Sequence, residues 1–290
     1  MEKIVEWLIN IERLAHTFYS EVSEKFKADK KISGFFRLLA VDEAWHCEVM
    51  EKALEHLGSG SNIAPFISLD SATREKIENT FAKDRELLLS GELDIEKLLG
   101  CLVTIEFSEW NDIFVYVVNS LRKENREFMR AAAKIQSHVR EIEKFLRDFP
   151  EGQRHLHVIR CLPPVWHEKI LIVEDDESVA GLLKAVLKHE GDVEIARNGL
   201  KALKKVGDGY FDVIISDIGM PGMDGIEFYK KAAEKEPGIG DRFLFITGLP
   251  ADDYGPFFRQ NKLRFLPKPV QIKGIKRNVD EILNRPVSDA

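Results

Sequence analysis

"KILIVEDDESVAGLLKAVLKHEG", from Lys169 to Gly191, runs from an unbroken β-branched apolar segment, through adjacent acids, into residues whose apolar positions recur every three or four. A short continuous apolar run reads as a strand buried on both faces, and the 3.6 period after it as an amphipathic helix. Strand, acidic turn and helix are expected in that order. Downstream, "DVEIA" (192–196) is a short second strand, and "FDVIISDIGMPGMDG" (211–225) is a strand ending at Asp217 ahead of a Pro-Gly loop. "RFLFITG" (242–248) ends at Thr247, and "LRFLPKPV" (263–270) at Lys268. Strands alternating with helices in this way predict an α/β, doubly wound parallel sheet of five strands. Ligands of such sheets bind beyond the carboxyl ends of the strands, where Glu174, Asp175, Asp217, Thr247 and Lys268 all fall.

Carboxylates gathered at one point raise one another's pKa and need a counter-charge. A hard divalent cation such as Mg²⁺ supplies it, and also neutralises an incoming phosphoryl group. A threonine hydroxyl and a lysine ammonium both suit phosphate oxygens. With these elements in order, residues 168–285 resemble the receiver domain of response regulators, a flavodoxin-like fold. The resemblance implies that Asp217 is the phosphoacceptor, Asp175 a direct Mg²⁺ ligand, and Glu174 a second acidic ligand acting largely through water. It also implies that the Gly219 carbonyl completes the metal shell and that Thr247 and Lys268 contact the phosphoryl group. Asp176 is a further acid beside them, and Phe265, three residues before Lys268, matches the aromatic switch position. The implied partner is a sensor histidine kinase or a phosphotransfer protein. There are two departures from the pattern. Gly248 stands where alanine is more usual, and "LPADDYGPFFRQN" (249–261) puts Gly255 and Pro256 where the fourth helix should run. Proline breaks helix interiors, so an unusual signalling face is expected. The competing reading, an unrelated flavodoxin-like domain with solvated loop acids, has the order and spacing of these elements against it.

The chain has 290 residues, more than one domain usually holds, and 44% hydrophobic with 31% charged residues is an ordinary globular composition. A net charge of −7, with no basic stripe to offset it, argues against nucleic acid as a partner. Cys47, Cys101 and Cys161 lie far apart with no CxxC, which favours free thiols in a reducing compartment. The start, "MEKIVEWLIN", is acidic where a signal peptide is basic, and no run reaches membrane-spanning length. A cytoplasmic protein without membrane contact is the expectation. No DNA-binding pattern follows the receiver-like half, so a phosphoryl switch would act on the N-terminal half or on another protein.

Up to about Phe149 the pattern is helical throughout. Val5, Leu8, Glu12, Ala15, Tyr19, Val22 and Phe26 form one stripe, and Phe35, Leu39, Glu43, His46, Met50, Ala53 and Leu57 a second. Glu12, Glu43 and His46 sit inside these apolar stripes, where an isolated carboxylate is costly and needs partners. After the crossover "GSGSNIAPFISLD" and an accessory helix over 72–89, "ERLAHTFY" (12–19) is echoed by "EWNDIFVY" (109–116), with Glu and Tyr seven apart in both. His138 lies on a further stripe, Phe128, Ala131, Ile135, His138, Ile142 and Phe145. Two helix hairpins with matching polar insertions suggest one four-helix bundle. Residues 1–148 resemble ferritin-like and rubrerythrin-like proteins, which build a two-metal site from one Glu on each of two helices and a Glu-x-x-His on each of the others. The match is Glu12, Glu43 with His46, Glu109, and His138.

Ile135 stands where the fourth carboxylate belongs, which leaves three outcomes. Glu106, one turn before Glu109, supplies the missing oxygen; or the bundle holds one metal ion; or it holds none and the polar groups form a core network. Carboxylate and imidazole donors suit iron, manganese or zinc. Between the halves, "FPEGQRHLHVIRCLPPVWHEK" (149–169) reads as a linker, with "HLHVIR" able to form a stray strand; His155, His157, Cys161 and His167 there match no zinc spacing. The expected domains are a bundle at 1–149, a linker at 150–167 and a receiver at 168–290, in a homodimer, since both domain types commonly pair. Two functions follow. One is a two-component response regulator whose bundle is output or metal/redox sensor. The other is a receiver-gated non-haem di-metal oxidoreductase of the peroxide-reducing, rubrerythrin-like kind, which the missing CxxC disfavours.

Overall fold

The computed structural model describes residues 1–59, 70–107, 109–122, 125–162, 164–248 and 251–283. Most of the expected crossover therefore lies outside the described residues, as does the side chain of Glu109. The chain divides into two compact units, Met1–Ala132 with His138–Val165, and Ala133–Ser137 with Trp166–Ala290. No helix among the described residues is long and apolar enough to cross a membrane.

The N-terminal part is helical: α1 (Glu2–Lys25), α2 (Lys30–Gly58), α3 (Ser71–Ser90), α4 (Ile95–Glu106), α5 (Glu109–Leu121) and α6 (Arg126–Arg147). Side-chain oxygens start four of them. Asp29, Asp70, Asp94 and Asn125 accept from backbone N–H groups of the first turn, which have no partner within the helix. Gly91 ends α3 with φ 79°, a left-handed conformation that a side chain would strain. Most of each stripe read from the sequence is buried, with Leu8, Tyr19, Leu39 and Met50 sealed from solvent, while Phe26 and Leu57 at the stripe ends are partly exposed. Phe36, rather than Phe35, is the fully buried ring of its pair, and it packs on Tyr19 at 5.5 Å between centroids.

Two features of this half differ from expectation. The third bundle segment is not one helix, because it breaks between α4 and α5. The Asn111 side chain bonds the Ile105 and Glu106 carbonyls there, satisfying acceptors that a continuous helix would have used. Glu106 is thus the last residue of one helix and Glu109 the first of the next. The supposed linker is also ordered, as a 3₁₀ turn at Pro150–His155 followed by α7 (Leu156–Arg160), so "HLHVIR" is helical and not a strand. Pro150 suits the first position of a helical turn. Buried Leu156 and Ile159 recur at three residues, the helical interval, and not at two.

The C-terminal part is β1 (Lys169–Val173), α8 (Glu177–Leu187), β2 (Asp192–Ala196), α9 (Gly199–Asp208), β3 (Val213–Asp217), α10 (Gly225–Lys235), β4 (Phe243–Thr247), α11 (Ala251–Gln260), β5 (Arg264–Pro267) and α12 (Ile272–Leu283). The strands form one parallel sheet in the order β2-β1-β3-β4-β5. Alternate residues serve opposite cores: Leu171, Val173, Ile214, Phe243 and Phe245 on one face, and Ile170, Ile172, Val213, Ile215, Leu244 and Ile246 on the other. Both faces are covered by helices, which is why the strands are apolar without interruption.

The helix that Pro256 was expected to break does form, as α11, with the proline inside it. One backbone hydrogen bond is forfeited. Packing offsets the loss, because Phe258 is 2% exposed, stacks on Phe265 at 4.7 Å and meets Phe245 in a tilted contact at 5.2 Å.

Candidate functional site

The parallel sheet delivers its strand ends to one rim. Asp217 is the last residue of β3 and Thr247 of β4, Glu174 and Asp175 follow β1, and Lys268 follows β5. The register pairs Val173 with Ser216, Asp217 with Ile246, and Thr247 with Pro267, so the adjacent strands finish level. Carboxylate oxygens of Glu174, Asp175 and Asp217 accordingly lie within 4.8 Å of one another. Lys268 Nζ sits 3.2 Å from Glu174 Oε2 and 3.2 Å from Asp217 Oδ1. Its backbone N–H donates to the Thr247 carbonyl at 2.7 Å, tying β5 to β4 at the rim.

Burial pushes the Glu174 carboxyl up against the pull of Lys268. The Lys268 ammonium is raised as well: burial lowers its pKa, but Asp217 and Glu174 together outweigh burial. One ammonium cannot balance three carboxylates, so the cluster keeps a net negative charge. An all-oxygen donor set of that charge, with Asp175 exposed and Thr247 buried, fits a hard divalent cation with a phosphoryl group beside it.

Asp176, read from the sequence as one more acid of the cluster, has another task. Its Oδ1 accepts from Ser178 and Val179 N–H and caps α8, holding the acidic turn in place. Gly225, which sequence reasoning passed over, also shapes the rim. A Cβ there would lie 2.1 Å from the Asp217 carbonyl oxygen. Gly225→Ala therefore forces the Asp217 backbone off its position. The expected loss is about 2–3 kcal/mol in urea unfolding, against little change in Gly181→Ala, where the Cβ meets nothing within 4 Å and the backbone is not left-handed.

The family model for the response regulator receiver domain matches residues 170–280. The response regulator receiver protein CpdR of Brucella abortus is 30% identical over 118 residues, covering 40% of this chain and 97% of CpdR. The chain belongs to the response regulator receiver family. The sensor kinase CckA of Brucella abortus is 29% identical over 147 residues, 49% of this chain, and the chain spans 15% of the kinase's length. Among solved structures, a CheY-like receiver domain protein from Methanospirillum hungatei is 29% identical, with 41% of this chain and 95% of that one covered at a TM-score of 0.38.

The helical half carries a second cluster. Glu12 is 1% exposed, Glu43 2%, His46 7% and His138 5%. His46 Nδ1 lies 2.8 Å from Glu43 Oε2 and 3.5 Å from Glu12 Oε2. His138 Nε2 lies 3.0 Å from Glu106 Oε2 and 3.9 Å from Glu43 Oε1. Donor atoms of Glu12, Glu43 and His46 fall within 4.8 Å of one another, and so do those of Glu43, Glu106 and His138, with Glu43 common to both sets. Both oxygens of Glu12, Oε1 of Glu43 and Nε2 of His46 are buried without a hydrogen bond. A polar core network would have paired such atoms, since each one left alone costs about 1–3 kcal/mol. Carboxylates and imidazoles with free lone pairs in a dry interior fit a borderline divalent metal ion.

Burial raises the Glu12 carboxyl from 4.5 to about 7, and raises the Glu43 carboxyl as well. For Glu106, burial is opposed and outweighed by His138, and its carboxyl stays low. Burial disfavours the charged form of His138 as well, but Glu106 and Asp42 on its two sides overcome it. Of the residues singled out in the sequence, Glu12, Glu43, His46, Glu106 and His138 come together. Ile135 is buried and offers no donor, and the Glu109 side chain lies outside the described residues. Two further residues contact the cluster: Asp42, which the sequence reading missed, and Tyr19, which it placed on the stripe without a ligand role. Asp42 Oδ2 stands 3.1 Å from His138 Nδ1, and the Tyr19 hydroxyl donates to Glu106 Oε1 at 2.6 Å. The Glu-to-Tyr echo signalled Tyr19 as a polar insertion, but nothing local marks Asp42, whose partner is 96 residues away.

Proposed function

We propose that this chain is a response regulator that takes a phosphoryl group onto Asp217 from a sensor histidine kinase or a phosphotransfer protein. The observation that carries the reading is the meeting of Glu174, Asp175 and Asp217 with Lys268 at the rim of the sheet. In the transfer, an Asp217 carboxylate oxygen attacks phosphorus, the phosphorus–nitrogen bond of the donor phosphohistidine breaks, and the departing imidazole nitrogen picks up a proton. Lys268 and the Thr247 hydroxyl bind the transferred oxygens. Mg²⁺ held by Glu174, Asp175, Asp217 and the Gly219 carbonyl supplies charge neutralisation. Phe265, stacked on Phe258 of α11, transmits the change to the helix beside it. Incubation of the full chain with acetyl phosphate tests this. Phosphate incorporation should approach one per chain with Mg²⁺ and fall to background with excess EDTA; incorporation that EDTA leaves unchanged would refute the metal-assisted site.

We read the bundle at 1–149 as ferritin-like, the segment 150–167 as the connection, and 168–290 as the receiver. In this reading Glu12, Glu43, His46, Glu106 and His138 hold iron or manganese, and the bundle is the sensor or output of the phosphoryl switch. The orphaned atoms of Glu12, Glu43 and His46 support a bound metal. A peroxide-reducing oxidoreductase is the weaker reading, because Ile135 replaces a carboxylate and the sequence has no CxxC for electron delivery.

A further inference from the structure

We propose that the outer face of α2 docks against the same face of a second copy of this chain, the two helices antiparallel and in one register. The inference needs neither the phosphoryl chemistry nor a metal. The inner face of α2 carries the core, with Leu39, Glu43 and Met50 buried. On the opposite face Leu38 is 45% and Val41 52% exposed, one turn apart, and exposed Ala44 continues the strip. The other large apolar side chains that stand exposed among the described residues, Leu89, Val158, Leu182, Leu200 and Ile272, occur one to a helix. Single exposed apolar groups are ordinary, whereas a continuous strip marks a surface that is covered.

The charges that flank this strip name its occupant. Lys30 and Arg37 lie on its N-terminal side, and Glu48 and Glu55 on its C-terminal side, each pair seven residues apart and so on one face of the helix. All four are exposed, and among the described residues none of their side chains has a hydrogen bond or ion pair. Their neighbours Lys31, Glu51 and Lys52 are already engaged, by Asp148, Arg13 and Glu127. A parallel pair of α2 helices would set like charges against each other. The antiparallel register centred between Asp42 and Glu43 sets Arg37 against Glu48 of the second copy and, in the same alignment, Lys30 against its Glu55. Val41 then meets Ala44 in the middle. Two-fold symmetry makes each ion pair twice. An anionic lipid surface is a poor occupant, because Glu48 and Glu55 would be repelled by it.

Sedimentation velocity of the full chain over a concentration series tests this, in EDTA and without a phosphoryl donor so that the receiver stays unphosphorylated. One helix face is a small interface, so a reversible dimer in the micromolar range is expected. Val41→Glu, which puts a charge into the middle of the strip, should weaken it about tenfold or more. Arg37→Glu and Glu48→Arg each set like charges opposite one another at two places, and should each weaken it about tenfold. Combined in one chain, Arg37→Glu with Glu48→Arg exchanges the charges and should restore the wild-type dimer. These positions are exposed, so circular dichroism should be unchanged in every variant. The proposal is overturned if Val41→Glu dimerises as the wild type does, which would place the contact elsewhere, or if the double variant is no better than the single ones. A wild type that stays monomeric throughout the micromolar range also overturns it, and leaves the face to a different protein.

Discussion

Asp217→Asn leaves the chain unable to retain phosphate from acetyl phosphate or from a phosphorylated histidine donor, with labelling at background under conditions that label the wild type. The amide matches the carboxylate in volume and still accepts a hydrogen bond from Lys268, so the fold and the rim persist. What is lost is the anionic oxygen that attacks phosphorus and the acyl phosphate it would form. The neighbouring acids cannot substitute. Glu174 is buried with its Oε2 engaged by Lys268, and Asp176 is committed to capping α8. Circular dichroism and urea unfolding should show wild-type secondary structure and equal or slightly higher stability, since one of three mutually repelling carboxylates is gone. Labelling that persists in Asp217→Asn would move the acceptor to another residue.

The second large effect belongs to Glu43, the one carboxylate shared by both buried sets. Glu43→Gln should abolish tight binding of both bundle ions at once, whereas Glu12→Gln affects one. Elemental analysis of the purified variants separates these outcomes, and retention of one full equivalent in Glu43→Gln would show that the residue does not bridge. Metal-free protein should also show what these acids cost. The Glu12 carboxyl rises from 4.5 to about 7 on burial, so across that window the folded chain holds a proton that the unfolded chain has released. Stability is then highest below the lower value and falls as pH rises through the upper one. At about 1.4 kcal/mol per pH unit, Glu12 alone costs about 3 kcal/mol above neutrality. Glu43, also raised by burial, deepens the same slope. Chelator-treated wild type should therefore unfold at lower urea concentration at pH 8 than at pH 5. Glu12→Gln should flatten that dependence, and saturating metal, which needs the deprotonated carboxylates, should reverse it.

How much of this was legible in the sequence differs between the halves. In the receiver, β3 and β4 end on Asp217 and Thr247, β1 and β5 are followed directly by Glu174 and Lys268, and parallel pairing with level ends forces those residues to one rim. Asp217, Thr247 and Lys268 could thus be placed from pattern alone. Pro256 misled, because a local rule about proline was outweighed by aromatic packing between Phe258, Phe245 and Phe265, residues distant in sequence. The linker misled for a similar reason: two-residue alternation in "HLHVIR" competed with a three-residue interval that only burial reveals.

In the bundle, the sequence by itself determined which polar groups point inward, since Glu12, Glu43, His46 and His138 lie on stripes whose other members must be buried. Only the tertiary structure decided how they group. Helix α4 ends on Glu106, whose carboxylate meets His138, while the approach of α2 to α6 makes Glu43 common to two sets and sets Asp42 against the other nitrogen of the imidazole. The physical reason is one of range. Helical and strand periodicity are fixed by backbone geometry within a few residues and can be read along the chain, whereas a carboxylate's partner is set by helix breaks and packing between segments tens of residues apart.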